Sequence, residues 1–78
     1  MNRIQLVNDL TDYLKHQGHI IDGETDLFES GAIDSMSIIE LICFLEESLK
    51  INFDTEQLIG SNFRTIDTIV DLIILKFE

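Results

Sequence analysis

Asp34 and Ser35 occupy a position in this sequence that favours chemistry, because they stand at the predicted start of a helix and follow Gly31 in a loop. A helix N-terminus has free backbone N–H groups and the positive end of the helix dipole, and both stabilise a phosphate group. A serine there is well placed to carry a phosphate. Asp and Ser are also preferred N-caps, so ordinary capping is the alternative interpretation.

The two histidines do not indicate catalysis or metal binding. A serine hydrolase needs a base beside its nucleophile, whereas His16 and His19 lie at the end of the first predicted helix and no G-x-S-x-G motif is present. The pair flanks Gly18, where that helix should end. We therefore interpret both as solvated loop residues and not as metal ligands.

Two further features could be mistaken for sites. The acidic segment 22–33 contains carboxylates, but it has Leu27 at the sixth position of a calcium loop and Ile33 at the twelfth, where an EF-hand needs glycine and glutamate. Cys43 is the only cysteine, and no lysine, arginine or histidine lies within one helical turn of it to favour the thiolate. We expect no enzyme activity and no metal site.

The composition predicts a small acidic protein that binds other proteins. A chain of 78 residues makes one domain, residues 1–78, and contains no run of the roughly 20 apolar residues that span a membrane. Fifteen acidic and five basic side chains give a net charge of −10, which repels nucleic acid and anionic lipid and attracts basic protein surfaces. The N-terminus lacks the pattern of a secretory signal. We therefore expect a cytoplasmic monomer with no nucleic acid or membrane partner.

Hydrophobic periodicity predicts helices near both ends of the chain. The first helix covers residues 2–16, with an apolar stripe of Ile4, Leu6, Val7, Leu10, Tyr13 and Leu14. Thr65 is expected to cap the last helix, and its stripe contains Ile66, Ile69, Val70, Ile73 and Phe77. No window shows sustained strand alternation, so we predict an all-α bundle of three main helices and one short helix.

Two connecting segments complete the predicted bundle. Residues 17–33 form a long loop, and the side chains expected to fix it to the core are Ile20, Ile21, Leu27 and Phe28. Asp54 and Gln57 have the spacing of a capping box, which predicts a short helix through Leu58 and Ile59 that ends at Gly60.

The second predicted helix, residues 35–49, has two apolar faces. The broad face is expected to join the core and contains Ile38, Leu41, Ile42, Phe44, Leu45 and Leu49. The opposite face has a narrow stripe of Met36, Ile39 and Cys43, which is flanked by Glu40, Glu46 and Glu47. Scattered exposed apolar residues are common, so this narrow stripe is either ordinary surface or a docking surface whose carboxylates select basic partners.

The run DLFESGAIDSMSIIELICFLEES, residues 26–48, resembles the core motif of the acyl and peptidyl carrier protein family, in which Asp-Ser-Leu/Met opens the second helix. The segments INFDTEQL and SNFRTIDTIVDLI are similar to the third and fourth helices of such carriers, so the resemblance covers nearly the whole chain. It implies a four-helix acyl-carrier-like bundle with a long first loop. It also implies that Ser35, beside Asp34, carries 4′-phosphopantetheine from coenzyme A, whose thiol holds cargo as a thioester.

The resemblance further implies a set of partner-binding residues, namely Met36, Ile39, Glu40, Cys43, Glu46 and Glu47. The implied partners are a phosphopantetheinyl transferase, an adenylating or acyl-loading enzyme, and downstream synthase or tailoring enzymes with basic docking surfaces. Ser37 stands where fatty-acid carriers commonly have an acid, and SGAIDSM and NFRTIDTI are more similar to free-standing aminoacyl, peptidyl or specialised polyketide carriers.

The implied function is therefore a free-standing carrier of acyl or aminoacyl groups in nonribosomal peptide or polyketide-type biosynthesis. Two alternatives stay open at this point. One is a type II fatty-acid acyl carrier protein, and the other is an acidic helical interaction module that carries no covalent cargo.

Overall fold

The computed structural model describes residues 2–58 and 60–77, and in these ranges it contains helices and no strand. The α-helices are α1, Arg3–His16, α2, Ser37–Leu49, and α3, Ile66–Phe77. Two short 3₁₀ helices, Thr55–Gln57 and Gly60–Phe63, lie between α2 and α3. The predicted all-α fold is confirmed. Every helix in the described ranges is too short or too polar to span a bilayer.

The three helices bury one shared core. Each contributes one apolar face, and the buried helical residues are Leu6, Leu10, Leu14, Leu41, Leu45, Ile66, Ile69, Val70, Leu72 and Ile73. Phe53 and Phe63 close the core between α2 and α3, with ring centroids 5.8 Å apart in an edge-to-face arrangement. Burial of this apolar surface, at roughly 25 cal/mol per Å², is the main term that stabilises the fold.

The predicted face of α1 is correct except at Ile4. This side chain is 72% exposed, whereas Leu6, Leu10 and Leu14 are buried. Those three leucines follow one another at four-residue steps, and Ile4 lies about 120° around the helix from their centre. The apolar stripe of α1 is therefore narrower than the sequence spacing predicted.

Two of the four side chains expected to fix the long first loop do so. Leu27 is fully buried as predicted, and Ile21 packs against the core. Ile20 is 97% exposed and Phe28 is 40% exposed, so the prediction was wrong for both. One residue of each of these two apolar pairs therefore reaches the core. Ala32 and Ile33, which were not predicted to fix the loop, are also buried.

The predicted short third helix is two 3₁₀ turns. Asp54 and Gln57 form half of the predicted capping box, because Gln57 Oε1 accepts the Asp54 N–H at 2.7 Å. The Gln57 N–H donates at 2.9 Å to the Asp54 carbonyl, which is the backbone bond of the turn and not a side-chain cap. Gly60 begins the second turn and does not end the helix, contrary to the prediction. Ile59 lies outside the described residues.

The start of α3 agrees with the prediction that Thr65 caps it. Thr65 Oγ1 accepts the Thr68 N–H at 3.0 Å, and Thr68 Oγ1 accepts the Thr65 N–H at 3.1 Å. This reciprocal pair satisfies two backbone donors at the helix end.

Candidate functional site

Asp34 is the residue that caps α2. Its carbonyl accepts the Ile38 N–H at 3.0 Å, which is the first bond of the α type in this helix. Its Oδ1 atom accepts the N–H of Met36 at 3.0 Å and the N–H of Ser37 at 2.9 Å. Hydrogen bonding of α2 therefore begins at Asp34, and the capping interpretation of this residue is confirmed.

Ser37 completes the cap from the other side. Its Oγ atom accepts the Asp34 N–H at 2.8 Å and donates to Asp34 Oδ1 at 3.1 Å. These hydrogen bonds hold the pKa of the Asp34 carboxyl below its usual value. The largest cause is the bond from the Ser37 N–H, followed by the bonds from the Met36 N–H and the Ser37 hydroxyl. This role of Ser37 was not predicted, although its three-residue spacing from Asp34 is that of a capping box.

Ser35 lies between these two residues and takes no part in the cap. It is exposed, and in the described part of the chain its hydroxyl makes no hydrogen bond. The N–H groups of Met36 and Ser37 are already used by Asp34, so the helix dipole, and not these two donors, is what favours an added phosphate here. An exposed, unengaged hydroxyl fits the covalent attachment of a bulky group.

The loop before Ser35 is a compact turn with defined internal bonds. Asp26 Oδ1 accepts the N–H groups of Phe28 at 3.0 Å and Glu29 at 2.9 Å, and Ser30 N–H donates to the Asp26 carbonyl at 3.0 Å. Gly31 has a φ of 81°, a left-handed conformation that glycine adopts without strain. These contacts give Ser35 an ordered approach from the loop.

The narrow stripe of α2 lies on the surface, as predicted. Met36 is 71% exposed and Ile39 is 59% exposed, and Cys43 is exposed as well. Their spacing of three and four residues places them along one side of the helix. Glu40 and Glu47 are also exposed. Apolar and carboxylate groups therefore share a face that begins one residue after Ser35.

Glu46 differs from Glu40 and Glu47 in its burial and in its hydrogen bonding. It is half-buried, and its Oε2 atom accepts the backbone N–H of Phe53 at 3.0 Å. This bond holds the segment after α2 against the helix. The structure therefore gives Glu46 a structural contact that the helical projection did not reveal.

The two histidines are separated by the end of α1. His16 is the last residue of the helix, which agrees with the predicted range 2–16 and not with its interpretation as a loop residue, and its Nδ1 atom lies 2.7 Å from the Asp12 carbonyl oxygen. His19 is half-buried in the loop. No group of three or more metal-ligating side chains occurs within the described ranges.

Comparison with known proteins decides the family. The family model described as "Phosphopantetheine attachment site" matches residues 4–73, which include the capped start of α2. The chain belongs to the phosphopantetheine-binding carrier proteins. One relative of this carrier, "Probable acyl carrier protein PigG" from Serratia sp. (strain ATCC 39006), is 30% identical over 70 residues, covering 88% of this chain and 80% of the relative. No solved structure matches the chain.

Membership of this carrier family establishes the general role of the chain. Its cofactor is covalently attached 4′-phosphopantetheine, and the protein is a carrier and not an enzyme. A phosphopantetheinyl transferase and synthase enzymes are the expected classes of partner for such a carrier. The predicted resemblance to acyl and peptidyl carrier proteins is thereby confirmed, and it favours the carrier over an interaction module without cargo.

Proposed function

We propose that Ser35 carries the 4′-phosphopantetheine group and that residues 1–78 act as one free-standing carrier domain in nonribosomal peptide or polyketide-type biosynthesis. The observation that supports this proposal most strongly is the exposed Ser35 hydroxyl at the start of α2. Asp34 and Ser37 bond to each other around it and leave it unengaged. When bound, the cofactor supplies a thiol on a flexible arm, and this thiol holds an acyl or aminoacyl group as a thioester.

The attachment step uses the Ser35 hydroxyl as a nucleophile. Its Oγ atom attacks the coenzyme A phosphorus that bears the pantetheine, and a new bond forms between oxygen and phosphorus. The bond from that phosphorus to the bridging oxygen breaks, and adenosine 3′,5′-bisphosphate leaves with the electron pair. The hydroxyl proton passes to a base of the transferase. The positive end of the α2 dipole stabilises the resulting phosphodiester anion.

The narrow stripe provides a surface on which successive enzymes can dock. Met36 and Ile39 offer exposed apolar area next to Ser35, and Glu40 and Glu47 offer carboxylates beside it. Such a surface selects basic partners by charge complementarity, and the net charge of −10 accelerates their association. The proposed partners are the transferase, an adenylating or acyl-loading enzyme, and downstream synthase or tailoring enzymes, which the carrier meets in the cytoplasm.

The residue type at position 37 supports the assignment of this carrier to a specialised pathway and not to primary fatty-acid synthesis. Fatty-acid carriers resembling this chain commonly have an acid at this position, whereas here the Ser37 hydroxyl is used in the cap with Asp34. The relative named as a probable acyl carrier protein supports an acyl group as one class of cargo. An aminoacyl group is the second class within the proposal.

Intact-protein mass spectrometry tests the attachment site. The unmodified chain is incubated with coenzyme A and a broad-specificity phosphopantetheinyl transferase, beside the variants Ser35→Ala and Ser48→Ala. Ser48 is an exposed serine on α2 and serves as the matched control. The wild type and Ser48→Ala should gain one phosphopantetheine group, and Ser35→Ala should gain none. Modification of Ser35→Ala would overturn the assignment of Ser35.

The class of cargo is tested on protein purified from its own cell. Fragmentation of the thioester-bearing arm in the mass spectrometer identifies the attached group. An amino acid, a peptide or a functionalised short acyl group is expected. A series of saturated chains that lengthens by two carbons would instead place the carrier in fatty-acid synthesis.

A further inference from the structure

The loop that leads to Ser35 is joined to the segment before α3 at two adjacent residues. The Leu27 N–H donates to the Arg64 carbonyl oxygen at 2.7 Å, and Arg64 Nε donates to Asp26 Oδ2 at 2.9 Å. One residue on the α3 side therefore holds two neighbours on the loop side. The side-chain bond to Asp26 adds a second restraint on the orientation of the loop beside the backbone bond to Leu27.

Leu27 passes this restraint toward the start of α2. Its carbonyl oxygen accepts the Ile33 N–H at 2.9 Å. Leu27 is 0% exposed and Ile33 is 2% exposed, so both side chains are fixed in the core at the two ends of the turn. Ile33 precedes the capping residue Asp34 and stands two residues before Ser35. The backbone of Leu27 is thus bonded to Arg64 on one side and to the approach of Ser35 on the other.

Asp26 uses both of its carboxylate oxygens in this arrangement. One oxygen caps the turn through the N–H groups of Phe28 and Glu29, and the other accepts the Arg64 guanidinium. The Asp26 side chain is 23% exposed and the Arg64 side chain is 63% exposed. Ion pairs with this degree of exposure contribute little to global stability. Their loss is expected to act on local opening of the turn and not on unfolding of the core.

We propose that Arg64 is a positioning residue for Ser35, acting through Asp26 and Leu27 to hold the loop that sets where the serine hydroxyl stands relative to α3. An enzyme docked on α2 then meets the hydroxyl at one fixed place. This proposal rests on the proposed function of Ser35. It adds a residue distant from the serine in sequence whose side chain serves the attachment and transfer steps without touching the cofactor.

Amide hydrogen exchange tests the link itself in the unmodified chain. Arg64→Gln removes the charged contact with Asp26, and we expect exchange at the Leu27 and Ile33 amides to become about two- to fivefold faster. Arg64→Lys should restore part of the protection. Arg3→Gln is the matched control, because the ion pairs of Arg3 within the described residues are exposed and join it to Asp67 and Asp71 on α3. Unchanged exchange in Arg64→Gln would overturn the proposal.

The kinetics of phosphopantetheine transfer test whether the link serves Ser35. Arg64→Gln leaves the narrow stripe intact, so the KM for the carrier should stay at the wild-type value. Its kcat should fall at least about threefold, because a misplaced nucleophile reacts more slowly. Arg64→Lys should recover part of the rate, and Arg3→Gln should match the wild type.

The outcomes separate this proposal from the assignment of Ser35. Faster exchange at Leu27 and Ile33 with an unchanged kcat would show that the link is structural and would overturn the positioning role alone. The positioning role alone would also be overturned if the wild type is modified at Ser35 and Arg64→Gln has the same kcat and the same amide exchange rates as the wild type. A wild-type chain that is not modified at Ser35 would overturn the proposed function as well, whatever the exchange shows.

Discussion

The Asp34 carboxylate and the Ser37 hydroxyl each accept the other residue's backbone N–H across the first turn of α2. Ser35 lies between the two capping residues in the sequence, and the cap does not use its hydroxyl. The cap therefore leaves Ser35, the proposed attachment residue, without a capping role. The start of the helix can be held in place while the serine between the two capping residues stays available to a partner enzyme.

The cap predicts a defined response to acid. The pKa of Asp34 lies below its ordinary value of 3.8, mainly because the Ser37 N–H stabilises the charged carboxylate. A depressed folded-state pKa means that the stabilising contribution is complete above the ordinary pKa and is lost as the pH falls through the folded-state pKa. The melting temperature of the wild type should therefore fall as the pH is lowered from 5 toward 2, a range that spans the usual carboxylate pKa values of about 4.

The variant Asp34→Asn isolates the contribution of this carboxylate. Asparagine also caps helices but does not titrate, so the acid-induced fall in melting temperature should be shallower than in the wild type. Asp34→Ala, which removes the cap, should melt at a lower temperature at neutral pH as well. Circular dichroism melts over a pH series measure both effects. An acid profile of Asp34→Asn identical to that of the wild type would contradict the assignment.

The narrow stripe predicts that docking and folding can be separated by mutation. Ile39→Glu should impair phosphopantetheine transfer by raising the KM for the carrier, because a charge replaces exposed apolar area beside Ser35. Its free energy of unfolding should change by no more than about 0.5 kcal/mol, as is usual at exposed positions. Kinetic assays and urea unfolding give the two quantities.

Ile4→Glu is the control for this experiment. Ile4 is 72% exposed and Ile39 is 59% exposed, so the same substitution is made at comparable exposure on a different helix. Ile4→Glu should leave the KM unchanged. Loss of cooperative unfolding in Ile39→Glu would show that the face assignment is wrong, and an equal rise in KM for both variants would exclude a localised docking surface.

Neighbouring glutamates on α2 should differ in their effect on stability. Glu46→Ala removes the acceptor for the Phe53 N–H and should lower the free energy of unfolding by about 1–2 kcal/mol, because a partly buried donor loses its partner. Glu47→Ala alters an exposed side chain and should change it by less than about 0.5 kcal/mol. Urea unfolding of the two variants checks this difference. Equal stabilities would contradict the structural role of Glu46.

Local patterns predicted the three main helices and the cap at Thr65. The burial of Leu6, Leu10 and Leu14 follows from helical spacing, and the cap at Thr65 follows from residue type and position. The exposure of Met36 and Ile39 follows from the projection of α2. Each of these features depends on residues within a few positions of one another, which is the range over which sequence patterns carry information.

Contacts between distant segments were not predictable in the same way. Nothing near Glu46 in the helix indicates that it accepts a bond from Phe53 after the chain turns, and nothing near Arg64 indicates that it binds Asp26. Phe28 was expected to help fix the loop to the core, but it is 40% exposed, whereas the neighbouring Leu27 is buried. These outcomes depend on where the core places two remote segments.

The most direct test of the central claim is to locate the cofactor on protein purified from its own cell. Tandem mass spectrometry of the proteolysed chain assigns a phosphopantetheine group to an individual serine. We predict that the group is found on Ser35 and that the other serines, Ser30, Ser37, Ser48 and Ser61, are unmodified. A bare Ser35 in a sample where a second carrier protein is modified, or the group on another residue, would contradict the account.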